Sequence, residues 1–329
     1  MNVLVTGATG FIGSHLVEAL VNKGYQVYGL FRDNKKSDFL RRLGAKPIYG
    51  DLLNKDSLKN ALKNIDVVYH LAAALHANTK SKKTFFNINV LGTKNLIEAC
   101  LESKVKKFVH CSSVGVHGIT KKLANENFPC KPTTDYDQSK YSAEKLVRTY
   151  LNNKMDITIV RPAAIVYGPR DFSAMYGLFQ AIESKKFMII GNGRNIIHMI
   201  YVKNLVDGMI LAAENKRANG QTYILADETL TTVRDIQNII AKTLKVPKNN
   251  FRIPVWIAIL LALNFEILSR IIKFSPPLTF SRVSFLTSNR AYDISKAKKE
   301  LGFRSEISLQ QGIQETVDWY IKNGHLRSH

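Results

Sequence analysis

Residues 1–25 read MNVLVTGATGFIGSHLVEALVNKGY, and the first thirteen decide the fold. Asn2 to Thr6 is a short apolar run of the kind that makes a buried strand. Gly7, Gly10 and Gly13 follow it at once. SHLVEALVNKGY then carries apolar residues at helical spacing, and Gly24 marks the helix end. Strand, glycine turn and helix in that order turn a weak glycine pattern into a strong one. The first glycine permits the tight turn, the second lets a pyrophosphate approach the backbone, and the third lets the helix pack close. The helix N-terminus then offers unpaired N–H groups to the phosphates. Gly7, Thr9, Gly10, Phe11, Ile12 and Gly13 are therefore expected to bind a dinucleotide. The spacing is GxxGxxG, not the commoner GxGxxG.

Beyond this unit the chain keeps alternating. Strands are expected at QVYGLF, KPIYG, DVVYHLA, FVHCSS and ITIVRPAAIVYG, the last with its exit loop. Helices are expected in between, among them NVLGTKNLIEACLESK and the long QSKYSAEKLVRTYLNN. Such alternation predicts an α/β protein, a doubly wound parallel sheet covered on both faces. After Gly168 the regularity loosens. IIHMIYV and TYILAD read as strands, while LVDGMILAAEN, TVRDIQNIIAKTL and LQQGIQETVDWYIK read as helices. The expected division is a cofactor-binding domain over 1–168, with return elements near 196–226. A smaller, discontinuous C-terminal substrate lobe draws mainly on 169–329.

Composition narrows the class. With 45% hydrophobic and 22% charged residues, the 329-residue chain is an ordinary globular protein. Lys and Arg exceed Asp and Glu by 47 − 26 = 21 charges, so anionic partners come into view. The charges are spread along the chain with no basic-aromatic motif, which argues against nucleic acid. Three cysteines without CxxC spacing give neither a disulfide framework nor a zinc signature, and no metal site is expected. A reducing, cytoplasmic setting fits. The N-terminus lacks the regions of a signal peptide. The longest apolar run, Ile253 to Leu263, is shorter than the roughly 18 residues of a spanning helix. The stretch 253–274 is either a buried helix, a dimer contact or a peripheral membrane contact, with Arg252, Arg270 and Lys273 toward lipid phosphates.

Several motifs in order resemble the extended short-chain dehydrogenase/reductases. That group includes the NAD-dependent epimerase/dehydratases and the 3β-hydroxysteroid dehydrogenases. The motifs are TGATGFIG, Gly50–Asp51–Leu52, His70 to Ala73, Asn89–Val90 with Gly92–Thr93, Ser112–Ser113, Tyr136 to Lys140, Arg161–Pro162, Tyr167–Gly168–Pro169, Tyr201–Val202, and Lys296–Ala297 with Leu301–Gly302. The resemblance implies that Asp51 and Leu52 meet the adenine. It implies that Ala72 and Ala73 line the pyrophosphate and ribose, and that Pro162 and Ala163 lie against the nicotinamide. Asn89 reads as structural. It further implies a homodimer and a small-molecule substrate.

The end of the second strand separates NAD from NADP, since a carboxylate there suits ribose hydroxyls and a cation suits a 2′-phosphate. Phe31 holds the usual acidic position and Arg32 follows it, with Lys35 and Lys36 nearby. NADP is favoured over NAD, although Asp33 in a shifted loop would reverse the choice.

Tyr136 and Lys140 are four apart and share a helix face. A phenol with a pKa of about 10 is a poor base, and a nearby ammonium favours its phenolate. Such a group takes a proton from an alcohol or returns it. Tyr141 and Lys145 repeat the spacing, which by itself does not choose. The family pattern has Ser before the Lys and Glu four residues after it, which selects Tyr136 and Lys140. The same resemblance has Lys140 hold the nicotinamide ribose. It also selects Ser113 over Ser112 to bond the substrate oxygen. His117 stands where the family usually has Tyr, and is either a substrate contact or a packing residue. His198 reads as structural.

Nucleotide-sugar members often carry an Arg shortly before the Tyr-Val strand, suited to gripping a diphosphate. The aligned residue here is Ile197, and Arg194 lies three earlier. The apolar stretch at 253–274 resembles that of hydroxysteroid-dehydrogenase-like members. The expected reaction is hydride transfer at a secondary alcohol or ketone of an apolar substrate. The alternatives are a nucleotide-sugar epimerase or dehydratase and a non-catalytic NADP-sensing protein, the latter opposed by the retained Ser113, Tyr136 and Lys140.

Overall fold

The computed structural model describes all residues except 76–78, 80, 121, 152, 273–275, 277 and 328–329. Asn152 at the end of one expected helix, Lys273 beside the apolar stretch and the side chain of Arg270 lie outside the described residues. The strands are β1 (Asn2–Thr6), β2 (Gln26–Phe31), β3 (Lys46–Tyr49), β4 (Val67–His70), β5 (Lys107–Cys111), β6 (Asp156–Pro162), β7 (Ile165–Tyr167), β8 (Ile189–Ile190), β9 (Met199–Tyr201), β10 (Thr222–Leu225) and β11 (Arg252–Ile253). Seven of them form one sheet in the order β10-β6-β5-β4-β1-β2-β3. Every pairing in it is parallel. Strand order reverses between β1 and β4, and their carboxyl ends open a crevice there.

Both faces of the sheet are covered, so successive side chains alternate between two cores. Val3, Val5, Tyr69 and Val109 face one core, closed by the helices Phe11–Asn22 and Val202–Glu214. Leu4, Val68 and Phe108 face the other, closed by Lys55–Ala61, Gly92–Glu102 and Asp135–Arg148. A third core joins Ala174–Glu183, Val233–Thr243 and Leu309–Lys322 around Phe179, Ile236, Ile313 and Tyr320. Thr232 starts the middle helix with a capping box to Asp235.

Two expected strands are shorter than they read. ITIVRPAAIVYG divides into β6 and β7, because β7 leaves the main sheet to pair with β9. IIHMIYV shrinks to β9, since Val202 already begins a helix. The helix expected from Asn89 opens in a π turn, Asn87–Leu91, and continues as Gly92–Glu102, while the stretch before it, which carries no strand or helix expectation, contains the helix Lys82–Phe86.

The apolar stretch is the helix Val255–Ile272. Ala258 and Ala262 pack it on Ile190 and Val283. The outer side exposes Trp256, Leu260, Leu263 and Ile267, spaced four, three and four residues apart as one helical stripe requires. Trp256 is 65% exposed and Ile267 59%. Among the described residues no helix is long and apolar enough to cross a membrane.

Buried imidazoles under the sheet make stability depend on acid. His70 Nδ1 lies 2.8 Å from Thr6 Oγ1, and its Nε2 lies 2.9 Å from Thr93 Oγ1. Burial holds its pKa down at about 3, and burial with Arg170 holds His15 at about 4. An unfolded imidazole titrates near ~6.5, so below that pH the unfolded chain binds protons that the folded one refuses. Stability therefore falls as pH falls from ~6.5 toward those lower values. Urea midpoints should drop steadily between pH 7 and pH 4.5, and His70→Gln should flatten the drop by nearly one proton per chain. An unchanged slope in the variant would contradict this account.

Candidate active site at the carboxyl edge of the sheet

Because all seven strands run the same way, their carboxyl ends share one edge. Gly7 follows β1 there, Arg32 follows β2, Asp51 lies just beyond β3, Ala72 just beyond β4 and Ser113 just beyond β5. Pro162 ends β6, with Ala163 next to it. Residues from Gly7 to Ala163 thus come to lie along one line.

The glycine turn is held by sterics. Gly7 has φ +69°, and a Cβ on it would stand 2.8 Å from the Ala72 nitrogen. A Cβ on Gly13 would stand 2.1 Å from the Gly7 carbonyl oxygen. The first helical turn carries no acidic residue, and no side chain caps Gly10. A cradle of bare backbone at a helix N-terminus suits a pyrophosphate, so the residues present fit a dinucleotide. Thr6 Oγ1 ties the two strand ends, accepting from Ala72 N at 3.2 Å while bonded to His70.

Around the turn, the other expected cofactor residues are arranged in chain order. Asp33 caps its own loop, Oδ1 accepting from Lys35 N at 3.1 Å. Arg32, Lys35 and Lys36 are exposed on that loop. Asp51 Oδ1 accepts from Leu53 N at 2.9 Å, and Leu52 is buried against Gly92 with its carbonyl held by Asn95. Ala163 N donates to Leu225 O, which fixes the end of β6 against β10.

Thr134 caps the helix Asp135–Arg148, accepting from Asp137 N and donating to Asp137 Oδ2. This start puts Tyr136 in its first turn and Lys140 one turn on. Lys140 is 4% exposed, and its Nζ donates to Cys111 O at 2.6 Å. Tyr136 is partly buried, with its ring edge-on to Phe85 at 6.1 Å. Ser113 is partly buried, its Oγ accepting from Gly115 N at 3.0 Å. The expectation that Lys140 lowers the Tyr136 pKa is not met in this state. Burial, aided by the charge on Asp137, holds the phenol above its ordinary value, and burial pushes Lys140 down. The ammonium is committed to a carbonyl, and desolvation outweighs its pull. The competing pairs separate cleanly. Lys145 Nζ lies over the Tyr141 ring at 5.0 Å, and Lys145 is exposed. Ser112 is 4% exposed and donates to buried Glu144.

The family model for the NAD dependent epimerase/dehydratase family matches residues 3–226. The chain belongs to that family. It is 28% identical over 321 residues to N-acetyl-alpha-D-glucosaminyl-diphospho-ditrans,octacis-undecaprenol 4-epimerase of Escherichia coli O157:H7, covering 97% of this chain and 95% of the other. It is 30% identical over 342 residues to the decarboxylating sterol-4-alpha-carboxylate 3-dehydrogenase of Mus musculus, covering 98% and 91%. A crystal structure of UDP-glucuronic acid 4-epimerase from Bacillus cereus in complex with NAD superposes with a TM-score of 0.79 at 28% identity, covering 99% and 100%. As a member, the chain is an NAD-dependent dehydrogenase or epimerase of the extended short-chain type.

Asn89, read from the sequence as structural, and Glu144, visible there only as part of a pattern, turn out to be holding devices. Asn89, in the π turn, accepts from Ala74 N at 2.7 Å and donates to Ser139 Oγ at 2.8 Å. It thereby joins the strand end at β4 to the helix turn before Lys140. Glu144 accepts from Arg161 Nε at 2.9 Å and Nη2 at 2.6 Å, a buried forked pair tying that helix to β6. His117, 1% exposed, faces Arg161 Nη1 at 3.0 Å, so the substrate-contact reading of it falls to the packing one. His198 is likewise buried, its Nε2 2.6 Å from Asp227 O. Among the described residues no His, Cys, Asp and Glu group could hold a metal.

Removing one partner of a buried pair leaves a bare charge and costs about 3–5 kcal/mol. Glu144→Ala should lose stability on that scale in chemical denaturation. Lys145→Ala, one residue on, should stay within about 0.5 kcal/mol of the parent. Equal effects would mean that Arg161 finds another partner.

Proposed function

We propose that the protein is an NADP(H)-using oxidoreductase acting on a secondary alcohol or ketone of an apolar substrate. The observation that supports the reaction is the bond from Lys140, one helical turn after Tyr136, to Cys111 at the strand end that leads into Ser113, on the sheet edge that also carries the glycine turn. A bound nicotinamide supplies hydride transfer at the substrate carbon. Ser113 Oγ donates to the substrate oxygen and orients it. Tyr136 Oη gives that oxygen a proton in reduction and takes it in oxidation. Lys140, anchored on the Cys111 carbonyl, steadies the ribose and keeps positive charge beneath the phenol. Asp51, Leu52, Ala72, Ala73, Pro162 and Ala163 line the remaining length of the cofactor.

NADP is favoured by the loop after β2. Asp33 spends its carboxylate on Lys35 N, and the exposed Arg32 is then the group at hand for a 2′-phosphate. The apolar substrate is favoured by Ile197, 2% exposed within the third core where a diphosphate-gripping Arg would stand. Arg194 sits outside it, in the exposed turn whose nitrogen bonds Asn192. The elements after 168 that make up the third core and the helix Val255–Ile272 would form the substrate lobe. The stripe Trp256–Leu260–Leu263–Ile267 would rest on an anionic membrane surface, as exposed Arg252 and Arg282 and the excess of 21 positive charges favour. The protein would then be a peripheral cytoplasmic homodimer.

A panel of hydroxysteroid and prenyl ketone substrates, read by NADPH absorbance, tests the reading. Tyr136→Phe should abolish turnover and leave cofactor affinity nearly intact, while Tyr141→Phe keeps activity. Turnover of UDP-glucose without net cofactor oxidation would replace the apolar reading with sugar epimerisation. Full activity of Tyr136→Phe would remove the proposed proton donor.

A further inference from the structure

The segment Ser288–Tyr292 runs beside β9 and carries one cation toward the catalytic edge. Arg290 N donates to Ile196 O at 2.8 Å, and His198 N donates to Arg290 O at 2.9 Å. The two segments are thereby in fixed register, with Arg290 opposite Ile197. The guanidinium lies over the Phe285 ring at 4.6 Å. Its Nη1 donates to Gly118 O at 3.3 Å. Gly118 closes the 3-10 turn Val114–His117, whose first residue is capped by Ser113. Arg290 is therefore held one short turn from the proposed substrate-oxygen ligand.

Its charge is not spent. Arg290 is partly buried, and its Nε is buried with no hydrogen-bond partner among the described residues. No described carboxylate lies within ion-pair distance of it. Tyr292, two residues on, is a neutral neighbour of the guanidinium and supplies no counter-charge. A partly desolvated cation without a counter-ion is costly unless something supplies one. Glu144 does so for Arg161, and Glu18 does so for Arg170. Among the described residues no carboxylate does so for Arg290.

We infer that Arg290 is a substrate-binding residue that takes an anionic oxygen group, a carboxylate or a phosphate, on a substrate whose reacting carbon lies at Ser113 and Tyr136. The proposal deepens the reading above and rests on it for the apolar body of the substrate, not for the anion. A planar fork donates two parallel bonds to either group. It lies over the Phe285 ring, which limits where it can move. The substrate would then be an amphiphile, with its alcohol at Tyr136, its anionic group at Arg290 and its apolar body toward the lobe.

The test is equilibrium binding to the full-length protein saturated with nicotinamide cofactor, so that the glycine turn is filled. The probes are cholate, its neutral methyl ester, and inorganic pyrophosphate. Arg290→Gln should weaken cholate or pyrophosphate by about tenfold or more, the worth of a charged hydrogen bond. Methyl cholate should bind both proteins alike. Arg290→Lys keeps the charge without the fork and should fall between them, which separates loss of the cation from loss of the fold. Whichever anion responds identifies the group. If both anions bind Arg290→Gln as tightly as the parent, or neither binds the parent, the inference is overturned. Pyrophosphate lost without any steroid binding would keep the anion site and sink the apolar reading. Methyl cholate bound as well as cholate by every protein would do the reverse.

Discussion

The structure depends on one close approach. At the point where strand order reverses, the chain leaving β1 must turn beneath the chain leaving β4. Gly7 makes that turn at φ +69°, with the Ala72 nitrogen where its Cβ would be. Gly13 comes equally near to the Gly7 carbonyl, so the following helix starts hard against the turn. Thr6 and His70 lock the two strand ends from inside. No side chain fits in this arrangement, and bare amides at a helix N-terminus are what remains. The parallel sheet then sets every other proposed ligand on the same edge.

The catalytic side is held by a different kind of force. Lys140 on Cys111, Asn89 between Ala74 and Ser139, and Glu144 between Ser112 and Arg161 are all polar contacts inside the protein. Buried polar groups are expensive when unpaired and directional when paired. They fix one helix against the ends of three strands, β4, β5 and β6, which apolar packing alone would leave free to slide. Arg290 differs from these groups in that no described carboxylate pairs with it.

The glycine turn, the alternation of strands and helices, and the Tyr136–Lys140 pair were legible in the sequence. Each is local: a turn, a periodicity or a four-residue spacing. The break between β6 and β7 was not, because it follows from β7 pairing with a strand 34 residues later. The role of Glu144 was visible only as a pattern, since Arg161 lies 17 residues away on another element. His117 could not be placed without knowing that Arg161 faces it. The phenol's raised pKa was misjudged because spacing says that a lysine is near, but not that its ammonium is committed to Cys111. Exposure of the 255–272 stripe was equally hidden, as an apolar run reads the same whether its neighbours cover it or not.

The central claim is that the carboxyl edge of the sheet is a dinucleotide site shaped by the Gly7–Gly13 turn and tuned by Arg32. Its most direct test is a fluorescence titration of the protein and of Gly13→Ala with NADPH and NADH. The account predicts one saturable site per chain, tighter for NADPH, and no binding to the variant. Binding to Gly13→Ala as tight as to the parent, or no binding to the parent, would contradict it.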